Sequence, residues 1–139
     1  MASSADQLVE RPLELILARS LISILSVPAV LTDADGRFVF YNDAAGELLG
    51  APFEEVGVLE PAEWNARYGP FDAAGRPIPR DELPLTTAVR ESRPAYGRFF
   101  VLMESGLGEI EIGALPLSGP AGYQGAILVF WLVPGSEAP

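Results

Sequence analysis

The run GAILVFWLV, from Gly125 to Val133, constrains this chain more than any other stretch. Successive residues of a strand point to opposite sides of its sheet, so a strand with one wet face alternates apolar and polar side chains. This run does not alternate. It is also too short to cross a membrane as a helix. It reads as a strand covered on both faces, and the rest of the chain must supply two covers.

One cover is expected from the N-terminal segment. Pro12 suits a helix start, where its missing N–H costs nothing, and the pattern from there to about Leu25 is helical. At about 100° per residue, Leu13, Leu17, Leu21 and Ile24 form one stripe, while Leu15 and Ile22 fall nearly opposite. A single sheet cannot bury both stripes. One stripe is expected against the outer sheet face and the other against a second copy of the chain, since a two-fold pairing is the commonest use of such a patch. The candidate interface of this homodimer is Leu13, Leu15, Leu17, Leu21, Ile22, Ile24 and Trp131, with the choice of stripe left open. The organisation expected is a tail and amphipathic helix over 1–27, one domain over 28–134 and a tail over 135–139.

Between these ends the punctuation is strong. Ala29 to Thr32 is a short apolar strand, and Asp33-Ala34-Asp35-Gly36 a tight turn opened by the Asp side chain. Arg37 to Tyr41 is expected to return as a strand, with Phe38 and Phe40 on one face and Val39 and Tyr41 on the other. Asn42 is a good N-cap for a helix over Ala44 to Leu49, and Gly50 its left-handed stop. The Pro- and Gly-rich middle allows short helices, one around Pro61 to Tyr68 and one through Thr86 to Arg90. Strands follow over Tyr96 to Met103 and Glu109 to Leu117, joined by a turn over Ser105 to Gly108, and then the apolar run. This order gives an α+β domain built on an antiparallel sheet.

The pieces LTDADG, RFVFYN and NDAAGELLG, then FDAAGRPIPRDELPL, GEIEIGALPL and GYQGAILVF, resemble the PAS (Per-Arnt-Sim) family in order and spacing. The resemblance runs from about Pro28 to Val133. It implies a five-stranded antiparallel sheet with short helices over one face, enclosing a small pocket, and here an N-terminal helix flanking the sheet. It further implies a regulatory sensor or dimerisation module of a bacterial signal-transduction protein, such as a two-component histidine kinase, acting on an output domain or partner protein. The chain departs from the pattern at FWLVPGSEAP, where Pro134 and Gly135 stand in place of an output helix. The expectation is either a freestanding module, or a domain cut from a longer protein, or coupling through the N-terminal helix.

The chemistry available is narrow. The 139 residues include no Cys and no His, and all nine basic residues are Arg, which removes thiolate, imidazole and Schiff-base catalysis. Within the resemblance, the same absences exclude haem held by an axial His and flavin bonded to a Cys. A noncovalent flavin is not expected either, so no cofactor and no metal are assigned. The net charge of −10 argues against a nucleic-acid or anionic-membrane surface. The start MASSADQLVERPLEL is unlike a signal peptide, so a cytoplasmic protein is expected. Glu54-Glu55, Asp81-Glu82 and Glu109/Glu111 fall in loops, helix starts or on a solvent face, and no catalytic residue is named. Trp64, Asn65, Tyr68, Phe71, Tyr96, Phe99 and Met103 are the candidate pocket for a small apolar ligand, although filling a plain core is the commoner use of such aromatics. Thr86 and Thr87 either orient a ligand or cap helices. The rival readings are a ligand-free interaction module and a small carboxylate-dependent enzyme of similar cupped shape.

Overall fold

The computed structural model describes residues 12–134, so the two expected terminal tails lie outside the described residues. Helix α1 spans Leu13–Ser23 with Pro12 at its N-cap. Strands β1 (Ala29–Asp33) and β2 (Phe38–Tyr41) form a hairpin, followed by α2 (Asp43–Leu49), α3 (Phe53–Val56), α4 (Pro61–Tyr68), a 3-10 turn at Arg80–Glu82 and α5 (Pro84–Glu91). Strands β3 (Ala95–Met103), β4 (Gly106–Gly119) and β5 (Gly122–Leu132) complete the chain. The five strands lie in the order β2-β1-β5-β4-β3, and every pairing is antiparallel.

That order puts the apolar run at the centre of the sheet, and its alternate residues serve two cores. Leu128, Phe130 and Leu132 face the layer of short helices, with Val30, Ile110 and Ala114. Ile127 and Val129 face α1, which lays Leu15, Ala18 and Ile22 on them together with Leu31 and Val39. The second cover is therefore α1, and only one of its stripes is used. Leu15 is 4% exposed and Ile22 0%, whereas Leu13, Leu17, Leu21 and Ile24 are 62, 59, 54 and 80% exposed. Leu15 and Ile22 consequently leave the candidate interface, because they are spent within their own domain. Among the described residues no helix is long and apolar enough to cross a membrane.

The hairpin corrects the expected faces of β2. Leu31 pairs with Phe40 and Thr32 with Phe38, which leaves Val39 as an extra residue on its strand. This bulge resets the alternation. Phe38 and Tyr41 both join the core beneath the helices, and Val39 and Phe40 both turn towards α1. The turn between β3 and β4 is also tighter than expected: Met103 pairs with Gly106 and Val101 with Gly108, so both glycines belong to the ladder.

Local polar groups fix the joints. Asp33 Oδ1 accepts from the N–H groups of Asp35 and Arg37 at 2.9 and 3.0 Å. The same device recurs at Asp72, which accepts from Ala74 and Arg76, each at 2.9 Å. Both sites read Asp-Ala-x-Gly-Arg in sequence. Asn42 does more than cap α2. Its Oδ1 accepts from Ala45 at 3.0 Å and from Ala29 at 3.1 Å, while its Nδ2 donates to the carbonyls of Ile22 at 2.9 Å and Val27 at 2.8 Å. One buried amide thus ties the end of α1 to the starts of β1 and α2.

Candidate functional site

A cavity of about 70 Å³ lies between the inner sheet face and the helices. The sheet contributes Val30, Phe99, Val101, Ile110, Ile112, Leu128 and Phe130. Across from them stand Leu49 of α2, Trp64, Asn65 and Tyr68 of α4, and Leu85 of α5, with Leu83 and Pro84 at the helix entry.

The aromatic wall is held rigidly. Trp64 stacks on Phe38 with ring centroids 4.3 Å apart and planes 2° from parallel, and Tyr68 follows at 4.7 Å from Trp64. Helix α4 is aimed by a capping box, in which Glu60 N–H donates to Glu63 Oε1 at 3.0 Å. Arg37 Nε donates to Glu60 Oε2 at 3.0 Å and so ties the hairpin turn to the same helix start. Tyr41, edge-on to Trp64, donates its hydroxyl to Ala51 O at 2.5 Å, and burial pushes that hydroxyl up to about 12.

Trp64, Asn65, Tyr68 and Phe99 thus line the cavity, and the other three candidates sit elsewhere. Tyr96 is 64% exposed on the opposite sheet face and donates to Glu111 at 2.8 Å. Phe71 bridges to Phe100 of the edge strand through backbone bonds of 2.7 and 2.9 Å. Met103 is buried in the inner core but does not reach the cavity. The aliphatic and aromatic residues of β4 and β5 that form the floor were absent from the candidate set. Their signal was the alternation itself, which places Ile110, Ile112, Leu128 and Phe130 on one side. Thr86 donates to Arg80 O at 2.7 Å, a local turn bond.

Electrostatically the cavity is bland. Among the described residues no Asp, Glu or Arg lines it, and the polar side chains among its lining residues are Trp64 with its indole N–H, Asn65 and Tyr68. The carboxylate pairs considered from sequence lie away from it. Glu111, on the outer face, is held below the usual carboxylate range by the Arg98 guanidinium at 2.8 Å and by Tyr96. A groove of about 630 Å³ that carries charged side chains adjoins the cavity, bordered by the hairpin turn, the start of α4, the 3-10 turn and α5.

No protein-family model and no curated protein matches this sequence. Solved structures do. The PAS domain of a Colwellia psychrerythraea protein is 20% identical, with a TM-score of 0.61, covering 86% of this chain and 96% of that one. The PAS domain of nitrogen regulation protein NR(II) from Vibrio parahaemolyticus is 10% identical, with a TM-score of 0.58 over 84% of this chain and 98% of that one. The Vibrio cholerae VqmA dimer, described with DNA-binding receptors of the LuxR type, is 18% identical, with a TM-score of 0.57, and the match covers 89% of this chain and 53% of that one. On that likeness the chain has the fold of a PAS domain.

Proposed function

We propose that the chain is a regulatory sensor module that pairs with a second copy through α1 and holds a small, mainly apolar ligand noncovalently in the cavity. The observation that carries this reading is the exposed stripe of α1, whose Leu13, Leu17, Leu21 and Ile24 are all more than half exposed. It lies beside a sheet face that is itself partly uncovered, with Leu115 at 39% and Trp131 at 41%. Contiguous apolar surface of this kind marks an interaction site. The other face of the same helix is sewn to the core through Asn42, so a change inside the domain has a mechanical route to the pairing surface. That VqmA is described as a dimer supports the pairing. The cavity, apolar and without a charged group, supports a sensor over an enzyme.

Light scattering on the chain from Met1 and on a version starting at Ser26 tests the pairing. A dimer that becomes monomeric or insoluble on truncation is the expected result. A monomeric intact chain, or a truncated one that stays soluble and dimeric, contradicts it. The second reading, a pairing module without ligand, is favoured by the small cavity volume of about 70 Å³.

A further inference from the structure

Cavity and groove meet at Phe38, Asn65, Leu83 and Leu85, which line both. The two spaces differ in charge. The cavity is apolar, whereas the groove brings Asp35, Arg80, Asp81 and Arg90 together. Most of that charge is already matched: Arg90 meets Asp81 at 3.6 Å, and Asp35 meets Arg37 at 3.4 Å. Arg80 is different. Among the described residues, Arg37, Arg76, Arg90, Arg93 and Arg98 meet carboxylates, and Arg19 and Arg67 lie over aromatic rings. Arg80 alone among the described arginines has neither kind of partner, in a chain with 19 acidic and nine basic residues. Its backbone is nevertheless fixed, since its carbonyl accepts from Leu83 N–H at 3.2 Å and from the Thr86 hydroxyl at 2.7 Å. The Asn65 side-chain amide, at the junction, also makes no hydrogen bond within the described residues.

We propose that this site takes a small amphipathic carboxylate, with its apolar end in the cavity and its carboxylate in the groove on Arg80 and the Asn65 amide. The inference rests on the ligand-binding reading above and changes the ligand class from apolar to amphipathic. A guanidinium presents N–H donors matched to a carboxylate, and a primary amide adds another. Size narrows the class further. The cavity is about half of the roughly 150 Å³ that accommodates benzene, so the buried end is about three or four carbons.

NMR titration of the full chain with isovalerate and with isoamyl alcohol, which share a branched tail, tests this. The expected result is that isovalerate binds about tenfold more tightly than the alcohol. Arg80→Gln is expected to abolish that advantage and leave alcohol binding unchanged, and added salt to weaken binding of the acid alone. Arg80 is exposed, so the variant folds. Equal binding of acid and alcohol, or acid binding unaffected by Arg80→Gln, overturns the carboxylate assignment and leaves the apolar-ligand reading standing. Binding of neither probe overturns both and leaves the ligand-free module.

Discussion

At the scale of single residues, Asn42 and Tyr41 show how adjacent positions do separate jobs. Asn42 is 2% exposed and satisfied at both ends of its amide, so truncation strands backbone groups of three elements. Asn42→Ala is expected to cost about 3 kcal/mol in urea unfolding, more than loss of an ordinary N-cap. A loss under about 1 kcal/mol would show that water replaces the amide. From sequence only the N-cap was legible, because the Ile22 and Val27 carbonyls reach Asn42 through tertiary packing. Tyr41 predicts a pH effect. Burial raises its hydroxyl from 10.0 to about 12, so the fold favours the neutral form. Its stabilisation is complete below the unfolded value and is lost as pH rises from 10.0 towards about 12. Urea midpoints over that range are expected to fall less steeply in Tyr41→Phe than in the parent chain. Parallel curves would refute the assignment.

At the scale of elements, α1 separates two kinds of leucine and isoleucine that composition cannot. Ile22→Ala is expected to cost about 3 kcal/mol, as for a filled core position. Leu17→Glu with Leu21→Glu is expected to leave the stability of the folded monomer nearly unchanged while abolishing pairing, seen by urea unfolding and light scattering. A pairing that survives both glutamates would remove α1 from the interface. The two stripes were legible because helical spacing fixes their angular separation. Which stripe faced inward was not, since that depends on the sheet packed against it. Strand parity was legible and separates two of the pocket candidates: Tyr96 and Phe99 are three residues apart, so a regular strand places them on opposite faces. The β2 bulge hid a different fact. No residue in RFVFYN announces it, and its origin lies in how β1 pairs with β2. The Asp-Ala-x-Gly-Arg turns were the opposite case, complete in five local residues.

At the scale of the whole molecule, a central apolar strand is covered twice, and the two covers differ in purpose. The short helices enclose a cavity, while α1 covers Leu31, Val39 and Ile127 on the opposite face and leaves its own outer stripe open. Asn42 ties α1 to β1 and α2 between those two features, which supports the proposal of a domain that reads an occupant on one side and reports on the other. Native mass spectrometry of the purified chain tests that account most directly, since it weighs assembly and occupant together. The predicted spectrum is a dimer carrying a small mass increment that solvent extraction removes. A single chain with no increment would contradict the account.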